Sequence, residues 1–346
     1  MIHSDIQVVA PNLKKRWSGV TSTIFRLLPI QQKKISIVSV GPNLPSELPS
    51  VPLREIFSLD TRTRRVWHAR RNNEMLLGLF LKKLLRKNMA LVFTSAAQRH
   101  HSRYTRWLIR QMDHVIATSQ KSASYLQVPN QVIMHGIDSI LFHPAVNKTE
   151  LRDKLGLPAG KLVGCFGRVR PQKGVDLFVE AMITACNVDP QAVGVICGQT
   201  TREHAEFTAM LKKRIADANL SDRILLLGEQ PNERLGSLFR ALDIYVAPQR
   251  WEGFGLTPLE AMASGLPVIA TTAGAFEEMI VDGDTGHIVA LNRVDAIEAP
   301  LLALLANDAA RKRMGDLARQ RILERFDICS EADNLIDVYQ KLLKTD

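Results

Sequence analysis

Short apolar runs alternate with amphipathic helical patterns along almost the whole chain, and this alternation constrains the fold more than any other feature. A buried strand is favoured where about four to eight apolar or β-branched residues are bounded by turn residues. The runs that we predict as strands are IQVVAP (6–11), KISIVSV (34–40), ALVFTS (90–95), HVIATS (114–119), QVIMHG (131–136), KLVGCFG (161–167), VGVICG (193–198), RILLLG (223–228), DIYVAP (243–248), PVIATT (267–272) and GHIVAL (286–291). Because helical patterns separate these runs, we predict an α/β protein with parallel, doubly wound sheets.

The chain is long enough for two domains of this kind. It has 346 residues, and a domain usually takes about 100–200. One open sheet rarely exceeds about 10 strands, so two sheets are favoured over one. A polar, proline-containing stretch at 142–161 separates two strand signals. We therefore predict Rossmann-like domains at 1–145 and 146–325, and an amphipathic C-terminal helix at 326–346 that can pack back on the first domain.

Cysteine usage and hydropathy exclude several classes of protein. The four cysteines, Cys165, Cys186, Cys197 and Cys329, show no CxxC or metal-ligand spacing. They are typical of reduced core residues in a cytoplasmic protein. No apolar run approaches the roughly 20 residues that span a bilayer, and the N-terminal residues do not resemble a signal peptide.

Positive charge is concentrated in one part of the chain. The formal net charge is +10, yet thirteen Lys and Arg residues face only two acids, Asp60 and Glu74, between residues 60 and 110. The same stretch contains aromatic and histidine side chains suited to contact: Trp67, His68, His100, His101, Tyr104 and Trp107. Two solvated helix faces would also explain such a run, but the near absence of acids favours an anionic partner. Nucleic acid, acidic lipid headgroups and a phosphorylated substrate all remain possible partners at this point.

The segment FGRVRPQKGVD (166–176) has the features of a phosphate-binding loop. A predicted strand ends at Gly167, Arg168 follows, and Lys173 precedes the glycine that opens the next helix. A guanidinium and an ammonium together suit two adjacent phosphates, and a helix N-terminus adds backbone N–H donors. An ordinary basic loop with a glycine cap is the alternative.

The segment WEGFGLTPLE (251–260) follows another predicted strand. Its glycines let the backbone approach a ligand closely at a helix N-terminus. We predict that Thr257 caps this helix and that Glu260 completes a capping box by bonding to the backbone of Thr257. Glu252 has no comparable structural role and is suited to accept hydrogen bonds from hydroxyl groups.

Other apparent motifs carry less weight. Asp282 and Asp284 spell D-x-D, but they lie in a predicted turn before a strand. The adjacent His100 and His101 have no nearby acid or cysteine and are weak evidence for a metal site. Neither a GxGxxG motif nor a P-loop occurs in the sequence, which excludes the usual dehydrogenase and NTPase interpretations.

With these segments together, the chain resembles the retaining glycosyltransferases of the GT4 type, which have the GT-B fold. The resemblance extends over nearly the whole length and rests on FGRVRPQKG (166–174), the acid-x7-acid element from 252 to 260, AGAFEE with DGDTGHIV (273–289), and MHGIDSILFHP (134–144). WHARRNNEM (67–75) and VFTSAAQRHHSRYTRWLIRQMD (92–113) are similar to segments of the alphaproteobacterial lipopolysaccharide core mannosyltransferases.

The resemblance implies two domains facing across a cleft, the first binding the acceptor and the second the nucleotide-sugar donor. It implies catalytic roles for Arg168 and Lys173, which would neutralise the leaving diphosphate, and for Glu252, which would hold donor hydroxyls. The implied donor-binding residues are Gly19, Gly167, Glu252, Gly253, Phe254, Gly255, Leu256, Thr257, Glu260 and Glu278. Gly19 is what remains of a glycine pair in WSGVTST (17–23), and Ala275 replaces the second glycine of the Gly-Gly-x-x-Glu element that contains Gly274 and Glu278.

For the acceptor, the resemblance implies the acidic sugar Kdo on lipid A, the inner core of lipopolysaccharide. The implied acceptor-binding residues are His68, Arg70, Arg71, Arg99, His100 and Arg103. The donor implied is GDP-mannose, and neither a cofactor nor a metal is implied. The basic stretch, including the helix at 74–88, would hold the enzyme peripherally on the cytoplasmic face of the inner membrane, with no role for nucleic acid.

Four other functions remain as alternatives. A GT4-type transferase could use a UDP-sugar and another anionic acceptor. A nucleic-acid-binding protein would explain the charge but not Arg168, Lys173 and the acid pair. A sugar-nucleotide hydrolase, epimerase or phosphorylase, or a non-catalytic nucleotide-sugar binder, would keep the donor site without the transfer.

Overall fold

The computed structural model describes residues 5–15 and 19–345, apart from the side chain of Val20. The chain divides into two compact units. Unit 1 comprises Met1–Gly136 with Ile328–Asp346, and unit 2 comprises Ile137–Asp327. The first boundary therefore lies earlier than the predicted residue 145, and the C-terminal helix belongs with the N-terminal unit.

The described part of unit 1 contains a six-stranded parallel sheet in the order β2-β1-β3-β4-β5-β6. Its strands are β1 Val8–Pro11, β2 Ile37–Val40, β3 Arg65–Ala69, β4 Met89–Ser95, β5 His114–Ala117 and β6 Gln131–Val132. The helices that alternate with them are α1 Gly19–Gln31, α2 Leu53–Ser58, α3 Asn72–Leu79, α4 Arg103–Ile109 and α5 Gln120–Ala123. A π-helical turn, Phe80–Leu84, continues α3.

The described part of unit 2 contains a second six-stranded parallel sheet, in the order β12-β11-β10-β7-β8-β9. Its strands are β7 Lys161–Phe166, β8 Ala192–Cys197, β9 Ile224–Leu226, β10 Ile244–Ala247, β11 Val268–Thr271 and β12 Gly286–Val289. Its helices are α6 Lys148–Leu155, α7 Val175–Val188, α8 Ala205–Asp217, α9 Asn232–Ala241, α10 Leu256–Ala263, α11 Phe276–Met279, α12 Val294–Ala306 and α13 Asp308–Arg325. Short 3₁₀ turns, Pro171–Lys173 and Arg202–His204, precede α7 and α8.

The last helix, α14 Ile328–Lys344, packs against α1 in unit 1. Its buried face includes Leu335, Ile336 and Tyr339, which join the core on one face of the first sheet. The strand residues of this face alternate with residues that contact α3 and α4 on the other face, because successive side chains of a strand point to opposite sides. The C-terminal helix is therefore a structural part of unit 1.

Strand β3 was not predicted, although it lies in the middle of the first sheet between β1 and β4. Its sequence, RVWHA, contains an arginine and a histidine, and all five residues are buried. The Arg65 guanidinium bonds to the backbone oxygen of Ile6 at 3.1 Å and to the Asp60 carboxylate at 2.7 Å. These partners compensate the buried charge, so a sequence too polar for a core strand is stable there.

Three of the cysteines are buried as predicted, but Cys329 is exposed on α14. Burial raises the pKa of Cys165 to about 12 and that of Cys197 to about 11. The thiol groups of these two core residues are therefore protonated at neutral pH.

Candidate functional site

Both sheets have the strand orders of doubly wound folds, and these orders define where ligands bind. In unit 2 the chain runs from β7 to β8 and β9 on one side of the sheet and then crosses to β10 on the other side of β7. The strand order therefore reverses between β7 and β10. Ligands of open α/β sheets bind beyond the carboxyl ends of the strands at such a reversal. The two segments selected from the sequence, 166–176 and 251–260, follow β7 and β10. They therefore lie at the expected ligand site of unit 2.

Lys173 and Glu252 meet at this site. The Lys173 ammonium donates a short hydrogen bond to Oε2 of Glu252, while Oε1 of Glu252 accepts from the backbone N–H of Gly253 at 3.1 Å. The two side chains are 17% and 20% exposed, so both still reach the surface. An ammonium has three hydrogens, and Lys173 can therefore keep Glu252 as a partner while it donates to a bound anion. Arg168, directly after Gly167 at the end of β7, is partly exposed at the same edge.

A residue that the sequence analysis missed, Arg250, joins the two loops. Its guanidinium forms a bidentate pair with Asp176 in the first turn of α7, at 2.8 and 2.6 Å. It also donates to the backbone oxygen of Pro171, and its own N–H donates to the oxygen of Gln172 at 2.9 Å. Arg250 thus fixes the loop that contains Lys173 against the loop that contains Glu252. The only signal in the sequence was an arginine directly before WEGFG.

The helix after the glycine loop begins earlier than predicted, and the capping box at Thr257 is wrong. Helix α10 starts at Leu256, and its N-cap is Gly255 with φ +90°, which makes no side-chain capping bond. A Cβ at Gly255 would lie 2.3 Å from Cε1 of Phe276, so the loop requires glycine for space as well as for conformation. Because Gly255 takes the cap position, Thr257 lies inside the first turn of the helix.

Glu260 is buried, with 5% of its surface exposed. The buried Tyr245 of β10 lies next to this helix: Thr257 hydrogen bonds to its phenol group, and the Glu260 carboxylate acts on it electrostatically. Burial is the main reason that the pKa of Tyr245 is well above its ordinary value. The Tyr245 hydroxyl also donates to the backbone oxygen of Phe166 at 3.2 Å, so it connects the end of β7 with the start of α10.

The remaining predicted donor-binding residues of unit 2 lie around the same loop. Ala275 donates its backbone N–H to the oxygen of Phe254 at 3.1 Å, and a Cβ at Gly274 would lie 3.1 Å from Cβ of Glu252. The Phe254 side chain is buried, so only its backbone can contact a ligand. Glu278 is partly exposed on the short helix α11. The structure thus brings together Gly167, Arg168, Lys173, Glu252, Gly253, Gly255, Leu256, Thr257, Glu260 and Glu278.

In unit 1 the order reverses between β1 and β3, and some predicted acceptor residues follow β3. Arg71 donates to Glu74 at 2.6 Å, to Asn12 at 3.0 Å and to Thr21 at 3.1 Å. The Glu74 carboxylate is fully buried and also accepts from the backbone of Arg70 at 2.8 Å. Its negative charge therefore compensates Arg71, whose function is at least partly structural.

His68 does not lie on the surface as an acceptor-binding residue would. Its side chain is fully buried, with hydrogen bonds to Tyr339 and Thr94. It therefore cannot touch an acceptor in this conformation, and the prediction for His68 is corrected. Trp67, which we expected to be available for contact, is also fully buried and donates from Nε1 to the oxygen of Glu74 at 2.8 Å.

The other predicted acceptor residues are accessible. Arg99, His100 and Arg103 are exposed in the loop after β4 and at the start of α4. The WSGVTST loop is described only from Gly19 onward, which is exposed and begins α1. The first two residues of this loop, Trp17 and Ser18, lie outside the described residues.

Two further features were sought among the described residues: a cluster of metal ligands and a membrane-spanning helix. No group of three or more His, Cys, Asp or Glu side chains there is arranged to hold a metal ion. Asp282 and Asp284 lie in a turn before β12, where the Asp282 carboxylate accepts from the backbone of Ile288 at 3.0 Å. No described helix is both long and apolar enough to cross a membrane.

Comparison with known proteins matches this arrangement. The family model "Glycosyl transferases group 1" matches residues 147–321. The chain is 48% identical to the lipopolysaccharide core biosynthesis mannosyltransferase LpsB of Rhizobium meliloti, covering 98% of this chain and 99% of that protein. It is also 48% identical to the lipopolysaccharide core biosynthesis mannosyltransferase LpcC of Rhizobium leguminosarum bv. viciae, covering 98% and 97%.

Among solved structures, the Anabaena protein HepE in complex with UDP and glucose superimposes with a TM-score of 0.83 at 18% identity, covering 97% of this chain and 100% of that chain. At this identity the likeness concerns the fold, which is GT-B, as the resemblance implied. The sequence relatives cover both units and therefore include the ligand edges of both sheets. The chain belongs to the group 1 glycosyl transferases and is a hexosyltransferase with the GT-B fold.

Proposed function

We propose that this enzyme transfers mannose from GDP-mannose, with retention of anomeric configuration, to the Kdo residue of the lipopolysaccharide inner core. The observation that carries the proposal is the 48% identity to two lipopolysaccharide core mannosyltransferases over nearly the whole chain. This identity extends through unit 1, which would bind the acceptor, as well as through the family-matched unit 2. HepE, whose structures contain UDP or UDP-glucose, supports a nucleotide-sugar donor for this fold.

The site in unit 2 is suited to the donor. Arg168 and Lys173 would bind the diphosphate, and the N-terminal N–H groups of α10 would add donors at its phosphate oxygens. The buried Glu260 would accept a hydrogen bond from a ribose hydroxyl. Glu252 would accept from hydroxyls of the sugar, in a position fixed by its bond to Gly253.

In the reaction, the bond between the anomeric carbon and the diphosphate oxygen breaks as the acceptor oxygen bonds to that carbon. The acceptor hydroxyl loses its proton to the leaving diphosphate, on the face where the new bond forms. The positive charges of Arg168 and Lys173 stabilise the negative charge that develops on the diphosphate. The enzyme otherwise acts by holding donor and acceptor in the reactive orientation.

A donor screen tests this proposal. The purified enzyme is incubated with Kdo-lipid A and radiolabelled GDP-mannose, UDP-glucose or UDP-N-acetylglucosamine, each with and without EDTA. We expect transfer from GDP-mannose that EDTA does not reduce, because the proposed charge stabilisation comes from side chains. Transfer from a UDP-sugar instead would support the alternative donor and contradict GDP-mannose. Loss of transfer with EDTA would contradict the metal-free scheme.

We further propose that unit 1 attaches the enzyme to the anionic cytoplasmic face of the inner membrane. Helices α3 and α4 pack together, and each exposes large apolar side chains. The exposed apolar residues on α3, its π-helical turn and α4 are Leu76, Phe80, Leu84, Tyr104 and Trp107. The rings of Tyr104 and Trp107 stack with centroids 6.4 Å apart. Aromatic rings beside basic residues are typical of surfaces that lie in the headgroup region of a bilayer.

The structure reduces the number of basic residues available for this surface. Lys82 pairs with Asp113 at 2.6 Å, and the buried Lys87 donates to the backbone oxygen of Leu59. These two lysines, which we expected to meet the membrane, stabilise unit 1 instead. Arg86, Arg103 and Arg110 are exposed. The positive surface is therefore smaller than the sequence suggested and centres on α4 and the end of the π-helical turn.

A vesicle-binding measurement tests the membrane proposal. Replacing Arg103 and Arg110 together with glutamine should weaken binding to vesicles of phosphatidylethanolamine and phosphatidylglycerol by about 30-fold, since each basic residue near an anionic surface contributes about 1 kcal/mol. The matched control replaces two exposed lysines of unit 2, Lys212 and Lys312, with glutamine. An equal loss in both double variants would show that only total charge matters and would contradict attachment through α4.

A further inference from the structure

A chain of hydrogen bonds inside unit 1 ends at a side chain that no role described above uses. Nδ1 of His68 lies 2.6 Å from the Tyr339 hydroxyl, and Nε2 lies 2.7 Å from Oγ1 of Thr94. His68 and Tyr339 are fully buried, whereas Thr94 is partly exposed. The chain therefore connects the C-terminal helix, through the core, to the carboxyl end of β4.

His68 is neutral in this position. Burial is the largest effect that lowers its pKa well below the ordinary value, and the positive charge of Arg70 and the neighbouring His114 lower it further. A neutral imidazole carries one hydrogen, so one of its nitrogens donates and the other accepts. The direction of the chain then depends on which nitrogen carries the hydrogen.

The charge beside Tyr339 favours one direction. Burial raises the pKa of its phenol, whereas the positive charge of Arg70 and the side chain of Gln31 lower it. A cation attracts the phenol oxygen and repels the phenol hydrogen, so this hydrogen is directed to Nδ1 of His68, 2.6 Å away. In this arrangement Nε2 of His68 carries the imidazole hydrogen and donates it to Oγ1 of Thr94.

The hydroxyl hydrogen of Thr94 is consequently not needed by His68. In the described part of the chain, His68 is the one hydrogen-bond partner that we find for the Thr94 side chain. Thr94 lies near the carboxyl end of β4, in register with Ile116 of β5. Ligands of parallel sheets bind beyond this edge.

We propose that Thr94 donates a hydrogen bond to an oxygen of the acceptor sugar, and that His68 and Tyr339 are positioning residues that fix the direction of this bond. The proposal rests on the proposed function in taking unit 1 as the acceptor-binding unit. It assigns to the C-terminal helix a part in substrate binding through Tyr339. It also gives the buried His68 a function without contact between His68 and the acceptor.

The tautomer of His68 is measured first, because it requires no substrate. Nitrogen-15 NMR of histidine-labelled enzyme at neutral pH should show a neutral ring with hydrogen on Nε2, and a His68→Gln variant assigns the signal. A hydrogen on Nδ1 would overturn the proposal, because the Thr94 hydrogen would then be directed to Nε2. This result is independent of whether GDP-mannose or Kdo is the true substrate.

Kinetics then test the role of Thr94. The Thr94→Val variant, which removes the hydroxyl with little change of shape, should lower kcat/KM for the acceptor about 10-fold, because a donor–acceptor pair in a desolvated site is lost. The Thr94→Ser variant should keep most of the activity. The dissociation constant of the nucleoside diphosphate, which binds in unit 2, should be the same in all variants.

Tyr339→Phe leaves the Thr94 hydroxyl in place but removes the donor to Nδ1 of His68. We expect a smaller loss of acceptor kcat/KM than for Thr94→Val. The dissociation constant of the nucleoside diphosphate should again be unchanged. Wild-type acceptor kcat/KM in Thr94→Val would overturn the proposal, as would an equal loss in Thr94→Ser. If the wild type transfers no sugar to Kdo-lipid A, the proposed function fails, and the same variants are compared on the acceptor that the enzyme does use.

Discussion

Replacing Lys173 with alanine is expected to lower kcat for sugar transfer by about 100- to 1,000-fold, the usual cost of removing one group that stabilises developing charge. The ammonium lies at the strand-order reversal of unit 2, in contact with Glu252 and held by the loop that Arg250 fixes. Of the residues that we assign to the leaving diphosphate, only Arg168 would then carry a positive charge. Initial rates at saturating donor and acceptor measure the effect.

The control for this variant is Lys312→Ala. Lys312 is 78% exposed on α13, where it pairs with Asp316 in the manner of a surface i,i+4 salt bridge. Its loss should leave kcat unchanged, since such pairs contribute little. A Lys173→Ala enzyme with wild-type kcat, or one whose loss is matched by Lys312→Ala, would show that Lys173 serves Glu252 structurally and not the diphosphate.

The second large effect concerns the glycine that follows Lys173. Gly174→Ala is expected to lower the free energy of unfolding by about 2–5 kcal/mol, combining left-handed backbone strain with overpacking. Gly174 has φ +68°, and a Cβ there would lie 2.0 Å from the backbone oxygen of Pro248. Because that oxygen is a backbone atom and not the end of a flexible side chain, the overlap can be relieved only if the segments after β7 and β10 separate. Urea unfolding followed by circular dichroism measures the change.

Gly156→Ala is a matched control for the same backbone conformation. Gly156 also has φ +68°, at the end of α6, but no atom lies within 4 Å of the position that a Cβ would take. It should therefore lose only about 1–2 kcal/mol from the left-handed conformation. Equal losses in the two variants would mean that the overlap of the new Cβ with the Pro248 oxygen adds no cost to the backbone strain.

The location of the candidate site in unit 2 was largely readable from the sequence. Its residues follow strands whose apolar runs are unambiguous, and parallel strands bring their carboxyl ends to one edge. Local patterns therefore placed Arg168, Lys173 and Glu252 near one another before the fold was known. The capping prediction at Thr257 was wrong because Gly255 takes the cap position, with φ +90° and in a space beside Phe276 that only glycine fits.

The first unit shows where local patterns were insufficient. Strand β3 was missed because Arg65 and His68 make its sequence polar, although distant groups, the backbone oxygen of Ile6 and the Tyr339 hydroxyl, bond to these two side chains. The contribution of Arg71 to the positive surface was overestimated, because its partner Glu74 is buried and also accepts from the backbone N–H of Leu13, in the segment after β1, at 3.3 Å.

The sequence by itself determined two parallel α/β sheets and the two glycine-containing loops after β7 and β10, because strand periodicity and post-strand glycines act over a few neighbouring residues. Only the tertiary structure decided which charges are compensated, and that α14 brings Tyr339 to His68 across 271 positions of the chain. Burial and hydrogen bonding between such distant residues depend on how the elements pack, and no local pattern encodes that packing.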